Sequence, residues 1–349
     1  MDPTELLRQL IRTPSLSRQE AATATLIADY LRAAGLAPRR SGNNVWLRSR
    51  HWVAGQPTVL LNSHHDTVRP AAGYTRDPHE PTVENGRLYG LGSNDAGGAL
   101  VGLIDAFVRL ESAGLGCNLI LAATAEEEIS GPNGVAALLP ELGPVDCAIV
   151  GEPTLLDLAV AERGLVVLDG EAQGVSGHAA RGEGTNALYL ALDDIAAVRA
   201  HAFARPSALL GPTGAAVTVI QSGTQHNVVP DRCTFTVDLR VNEAYRNAEA
   251  VAELQSVCRH STLTPRSLRL QSSGIPLDHP LVRAGLAVRP GARTYGSPTL
   301  SDQALLPFPS LKVGPGDSAR SHTADEFIHL AEIEAGRELY VRLLERAYG

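Results

Sequence analysis

Apolar positions along this chain change period several times, and the changes mark its elements. Leu6, Leu7, Leu10 and Ile11 recur at helical spacing between Pro3, suited to a first turn, and Pro14, which predicts an N-terminal helix. A second helix is predicted from Ser17, with Glu20 placed for a capping box, to Gly35. Strand-like runs follow at 44–47, Thr58–His64, Asn118–Thr124 and 146–151, with a helical stretch at 99–110 between two of them. Strands alternating with helices predict an α/β domain on a mixed, mostly parallel sheet.

Beyond Leu165 the texture changes. A strand at 166–172, a helix at 186–200, strands at 216–221 and 233–240, a helix at 248–257 and a strand at 267–271 give the order βαββαβ. That order predicts a small α/β sandwich with an antiparallel sheet, ferredoxin-like in type. Helical patterns at 276–287 and 326–347 return to the first domain. The expected division is therefore 1–165 and 281–349 for a large domain, with 166–280 inserted into it.

The chain has 349 residues, 44% hydrophobic and 19% charged, as expected of a globular enzyme with a large core. No stretch reaches the roughly 18 consecutive apolar residues of a membrane helix, and the start, Met1-Asp2-Pro3-Thr4-Glu5, lacks the pattern of a secretion signal. A cytoplasmic location is the expectation. The net charge of −8 argues against nucleic acid or an anionic membrane as partner. Cys117, Cys147, Cys233 and Cys258 are far apart, so buried thiols are expected rather than disulfides or zinc ligands.

Against this ordinary background, Glu126-Glu127-Glu128 stands out at the end of an apolar run. Adjacent carboxylates brought toward a core repel one another, and a cation resolves the conflict. Further acids and imidazoles follow other apolar runs or occupy Gly-rich loops: His64-His65-Asp66, Asp95, Glu152 and, near the C-terminus, His322. In an extended segment His64 and Asp66 share a face and His65 points away. An imidazole ligand with a carboxylate behind it is a common arrangement in hydrolytic metal sites. His64, Asp95, Glu128, Glu152 and His322, converging at the ends of parallel strands, would supply two imidazoles and three carboxylates. Without thiolate that set suits zinc, with Co2+ or Mn2+ as substitutes. Five ligands exceed what one catalytic zinc uses, whereas two metals about 3.5–4 Å apart sharing a bridging Asp account for all of them. Periodicity does not say which acid of the 126–128 run is ligand and which is base.

Ser63-His64-His65-Asp66-Thr67-Val68, Gly90-Leu91-Gly92-Ser93-Asn94-Asp95, Thr124-Ala125-Glu126-Glu127-Glu128, Gly151-Glu152-Pro153-Thr154 and Ser321-His322-Thr323 occur in one order across the chain. Together they resemble the di-zinc peptidase and deacylase family that includes acetylornithine deacetylase, succinyl-diaminopimelate desuccinylase and glutamate carboxypeptidase. The run 314–322 looks most like acetylornithine deacetylase-like members. The resemblance implies a zinc-peptidase-like catalytic domain with an inserted dimerisation or lid domain. It further implies that His64 and Glu152 hold one metal, Glu128 and His322 the other, and that Asp95 bridges. Glu127 would be the general base and Asp66 would orient His64. The peptide Asp95–Ala96 would be cis. His178 would stabilise the tetrahedral oxyanion in the partner subunit of a homodimer, and Asn227 and Arg240 would lie near substrate. Departures are Gly97-Gly98 after the bridging Asp, Glu126 where an Asp is usual, and Ala180-Arg181-Gly182 without the usual proline.

In that family Glu at position 152 goes with cleavage of N-acyl amino acids or carboxypeptidase activity. A substrate carboxylate calls for a guanidinium fork, for which Arg181, Arg240 and Arg320 are candidates, and Arg163 for a second carboxylate. The leading expectation is removal of an acetyl or succinyl group from ornithine or citrulline, in arginine biosynthesis. The alternatives are a dipeptidase or carboxypeptidase, a hydrolase releasing lysine or ornithine from an amino-group carrier protein, and a metal-binding assembly protein without catalysis.

Overall fold

Val59 and Leu61 pack on one side of the Thr58–His64 strand and Leu60 on the other, and all three are buried. A strand apolar on both faces belongs inside a parallel sheet covered on both sides. Its neighbours are parallel to it, Asn118–Thr124 on one flank and Cys147–Val150 on the other, with Ser310–Lys312 parallel beyond the latter. The hairpin of Arg39–Ser41 and Asn44–Arg48 adds an antiparallel edge. One face is covered by the helices Pro3–Arg12, Ala21–Ala33, Gly98–Leu110 and Leu330–Tyr348, which bury Leu7, Ile27, Leu103 and Leu343. Val135–Leu142 covers the other, against Trp46, Ile120 and Val150.

These elements belong to one of two compact units in the computed structural model, which describes residues 2–349. The first unit runs through Val160 and resumes over Gly274–Tyr295 and Ser301–Gly349; the second comprises Ala161–Ser273 and Gly296–Leu300. In the second, Gly164–Gln173 lies between Arg232–Val241 and Ser261–Pro265, and Gly214–Ser222 borders Arg232–Val241. All pairings are antiparallel, the connectivity of a split βαββαβ sandwich. Alternate residues Val166, Leu168, Phe235, Val237 and Leu239 face the helices Ala187–Ala200 and Asn247–Val257.

Four expectations are corrected. The helix predicted from Ser17 begins at Ala21 without a capping box, because Ser17 and Glu20 have long-range partners instead. Ser17 Oγ donates to Asp66, and the Glu20 carboxylate accepts from Asn43 Nδ2 and the Glu126 N–H. The closing strand of the second unit is Ser261–Pro265 rather than 267–271. In 267–271 the carbonyls of Leu268 and Leu270 accept from Asn247 Nδ2, which holds this stretch as a loop. The helix expected at 276–287 is Pro280–Val288, with Pro280 in its first turn and His279 Nδ1 accepting from Leu281 N–H. The pattern at 326–347 resolves into a strand, Phe327–His329, and the helix Leu330–Tyr348. The four cysteines are free thiols and three are buried. No helix among the described residues is long and apolar enough to cross a membrane.

Candidate metal centre

Three adjacent parallel strands end at one edge of the sheet, where their next residues converge. Thr58–His64 delivers His64, Asn118–Thr124 leads into the acidic run, and Cys147–Val150 leads to Glu152. Asp95 comes from the turn before the helix Gly98–Leu110, and the Asp95–Ala96 peptide is cis. His322 follows the short turn Ser318–Arg320 and adopts a left-handed backbone, φ 59°.

Asp95 lies between the two imidazoles, its Oδ1 3.3 Å from His64 Nε2 and its Oδ2 3.6 Å from His322 Nε2. Glu128 is 3.0 Å from His322 Nε2, and Glu127 and Glu152 are 3.8 and 3.9 Å from His64 Nε2. Two groups that could hold a metal ion result, His64 with Glu127 and Glu152, and His64 with Asp95 and Glu128, the donor atoms in each within 4.8 Å of one another.

The acidic run is not strand. Extended structure ends at Thr124, and Glu126 turns the chain with φ 56°. Its carboxylate leaves the site to accept from the N–H and Nδ2 of Asn133, at 3.2 and 2.8 Å. Glu127 and Glu128 therefore enter the centre side by side, which alternation along a strand would forbid. Asp66 holds this turn. Its Oδ1 accepts from Glu127 N–H at 3.1 Å and its Oδ2 from Glu128 N–H at 3.2 Å, while Oδ1 stands 3.4 Å from His64 Nδ1. His65 faces away, between Thr23 Oγ1 and the Asn43 carbonyl, and burial pushes its pKa down to about 4.

Charge is badly balanced in the chain by itself. Burial disfavours a charged His64 ring, yet Glu127, Asp66, Asp95 and Glu152 outweigh it and raise the ring's pKa well above the usual range. Burial, with Glu152, Asp302 and Glu128 nearby, raises Glu127 well above a normal carboxyl, against the pull of His64. Burial likewise pushes Glu152 up to about 8, with Asp95 adding to the shift. His322 rises to about 9 through its bond to Glu128. Buried carboxylates held protonated and imidazoles held charged are what cations would relieve. The nitrogen and oxygen donor set fits the two zinc ions expected from the sequence.

Sequence reading missed two buried acids around this centre. Asp302 accepts from Asn62 Nδ2 at 2.8 Å and Thr124 Oγ1 at 2.7 Å, and so joins the strands Thr58–His64 and Asn118–Thr124 near their ends. Glu326 accepts from backbone N–H groups of Gly92, Asn94 and Asp95. The signal for Glu326 was present, an acid four residues after His322, but its partners are more than 200 residues away in the chain.

The remaining candidates divide between the units. Arg320, in the first, is held by both oxygens of Glu332 at 2.7 and 3.0 Å and stacks on Phe327. In the second unit His178, Arg181 and Asn227 are exposed, and His178 pairs with Val228 in a short hairpin. Ala179 N–H donates to the Asn227 carbonyl at 3.1 Å, which draws His178 and Asn227 together. Arg240 is held by Asp238 at 2.7 and 3.1 Å, and the Arg163 guanidinium by the Leu210 carbonyl.

Residues 60–346 match the description of Peptidase family M20/M25/M40. The chain belongs to this family. It is 30% identical over 375 residues to the succinyl-diaminopimelate desuccinylase of Xanthomonas campestris pv. campestris (strain B100), covering 99% of this chain and 98% of that one. In fold it is similar to the aminopeptidase PepT of Bacillus cereus ATCC 10987, with TM-score 0.81, 18% identity and 99% of each chain covered. It is also similar to a dinuclear metal binding peptidase of the M20 family from Bacillus subtilis, with TM-score 0.76, 16% identity and 98% and 96% covered. Like its family, the M20 chain described here is a metal-dependent hydrolase.

Proposed function

We propose that this M20 hydrolase removes an acetyl or succinyl group from an N-acyl amino acid, with ornithine or citrulline as the amino acid, in arginine biosynthesis. The observation that carries the reading is the position of Glu127. Its carboxylate stands 3.8 Å from His64 within the buried ligand cluster, and its backbone is held by Asp66. The similarity to a desuccinylase supports cleavage of a linear N-acyl amide.

Two zinc ions, held by His64 and Glu152, by Glu128 and His322, and by Asp95 between them, would polarise the scissile carbonyl and lower the pKa of the attacking water. Glu127 accepts that water's proton and returns it to the leaving nitrogen, so one water and one amide give a carboxylic acid and a free amine. Burial raises its pKa above a normal carboxyl, the direction that favours holding the transferred proton. Asp66 fixes the His64 ring and the Glu127 backbone together. His178 is our candidate oxyanion donor and Asn227, beside it, a substrate contact. Arg181, exposed on the turn after His178, is our candidate clamp for the substrate carboxylate. Arg240 and Arg320 already have carboxylate partners and would act by shaping the charge around substrate.

We also infer a homodimer through the second unit. The Gly214–Ser222 strand has a free edge and exposes Val219 and Ile220, and the helix Ala187–Ala200 exposes Tyr189 and Leu192. A bare strand edge beside apolar side chains suits pairing with a second copy. Val219→Lys should convert a dimer to monomer in sedimentation; a monomeric parent chain would sink the inference.

The substrate test is amine release by zinc-loaded enzyme from N-acetylornithine, N-succinylornithine, N-acetylcitrulline, N-succinylcitrulline, N-succinyl-diaminopimelate and Ala-Glu. Turnover of an ornithine or citrulline derivative, lost in Glu127→Ala with metal content unchanged, supports the reading. Turnover of the diaminopimelate derivative or the dipeptide alone would replace it with a desuccinylase of that substrate or a peptidase.

A further inference from the structure

Glu326 is buried, and the hydrolytic scheme leaves it without a role. It lies four residues after His322, yet both of its oxygens face the loop that carries Asp95. Oε2 accepts from Gly92 N–H at 3.0 Å, and Oε1 accepts from the N–H groups of Asn94 at 2.8 Å and Asp95 at 2.9 Å. The Glu326 carbonyl accepts from Gly90 N–H at 3.0 Å. Asn94 makes a second connection between the same segments: its Nδ2 donates to the Asp317 carbonyl and its Oδ1 accepts from Asp317 N–H, each at 3.0 Å.

The ligands differ in how the fold holds them. His64 ends a strand paired on both sides, and Glu152 follows closely on another strand of the same sheet. Asp95 and His322 come from loops with no ladder to fix them, and a loop ligand loses conformational freedom when it binds. Three N–H bonds from one loop to the two oxygens of one side chain restrain that loop at three points. Because Glu326 and His322 share a segment, restraining the Asp95 loop also sets Asp95 against His322.

We propose that Glu326 is a positioning residue that presets Asp95 relative to His322, and so tunes affinity for the cation on the Glu128–His322 side of the centre. Gln has the same shape but only one acceptor oxygen, and its amide would confront a backbone N–H with another donor. The cation held by His64 and Glu152 shares Asp95 but keeps these two ligands, fixed at or just beyond strand ends, and so should lose less.

This inference rests on the two-metal reading, and one titration separates their failures. Co2+ is added to chelator-stripped full-length chain and followed by visible absorption and calorimetry. The parent chain should bind two Co2+; fewer than two would refute the two-metal reading itself. Glu326→Gln should weaken one of the two sites about 10–100-fold, the usual scale for a lost partner behind a ligand, and weaken the other less. Asn94→Ala, which cuts the other connection, should weaken the same site. Unchanged affinities in both variants, or equal weakening of both sites, would overturn the proposal. So would failure of both metal-free variants to fold by circular dichroism, since that would assign the connections to folding alone.

Discussion

The N–H of Glu127 donates to Oδ1 of Asp66 at 3.1 Å, so the proposed base is positioned by the carboxylate that also stands 3.4 Å from the His64 ring. One buried acid therefore couples a candidate ligand to a candidate base from the turn after a neighbouring strand. Asp66→Ala should lower kcat by about 10–100-fold, the scale for removing a carboxylate behind a metal-ligating histidine. Asp66→Asn should fall between it and the parent, since one amide oxygen still accepts but its NH2 opposes a backbone N–H. Steady-state kinetics with metal content measured on the same samples checks this. Full activity in Asp66→Ala would remove Asp66 from the machinery.

Metal uptake should release protons. In the metal-free chain the acids around His64 outweigh its burial and hold the ring charged, and burial holds Glu152 protonated up to about 8. Both must lose a proton to become ligands, so affinity falls as pH is lowered. Stability of the metal-free chain runs the opposite way. The native Glu152 carboxyl has a pKa raised from 4.5, so its contribution is lost as pH rises from 4.5 through about 8. His64, raised from 6.5, contributes fully below that value and loses its contribution as pH rises through its higher native pKa. Metal-free chain should therefore melt at lower temperature at pH 8 than at pH 6, and zinc should stabilise it more at pH 8. Calorimetry in buffers of different ionisation enthalpy should show net proton release at pH 7. Zero release would contradict the charge pattern.

How far the sequence was legible follows from the range of each interaction. Thr58–His64 and Asn118–Thr124 were readable to the residue, because continuous buried runs of Val, Leu, Ile and Ala leave few alternatives. His64 and Glu152, at or just beyond the ends of such strands, were visible as candidate ligands for the same reason. The turn at Glu126, with φ 56°, was not, because its left-handed backbone and its Asn133 partner carry no period. Ser17 and Glu20 satisfied a local capping rule that tertiary partners then outcompeted. Asp302 and Glu326 escaped because their bonding partners lie 178 to 240 residues away.

In the second unit, the Asp194 carboxylate accepts from the N–H groups of Arg259, His260 and Ser261, at 2.7, 3.0 and 2.6 Å. Burial alone would raise its pKa, but these bonds win and hold it below the usual 3.8. A depressed acid stabilises the fold above its unfolded pKa and loses that contribution as pH falls through the native value. Asp194→Asn should cost about 1–3 kcal/mol at pH 7, because it leaves one of three N–H groups facing a donor. Urea unfolding at pH 7 and at pH 3 should show that cost shrinking at the lower pH. A cost that stays constant would mean the carboxylate's charge contributes nothing.

Gly316 sits at φ 90°, and a Cβ there would come within 2.4 Å of Asn94 Oδ1, the atom that accepts from Asp317 N–H. Gly291 has nearly the same backbone, φ 92°, with nothing within 4 Å of its notional Cβ. The pair separates backbone strain from crowding. Gly291→Ala should cost about 1–2 kcal/mol, the left-handed penalty for an L-residue. Gly316→Ala should cost that and more, since the Asn94 side chain must move and give up its bond to Asp317. The excess should also appear as weaker Co2+ binding, because Asn94 connects the Asp95 loop to the His322 segment. Denaturant midpoints for both variants, with a Co2+ titration of each, would show it. Equal midpoints and equal Co2+ affinities would mean that Asn94 moves aside freely and that its contact with Asp317 does not hold the loop.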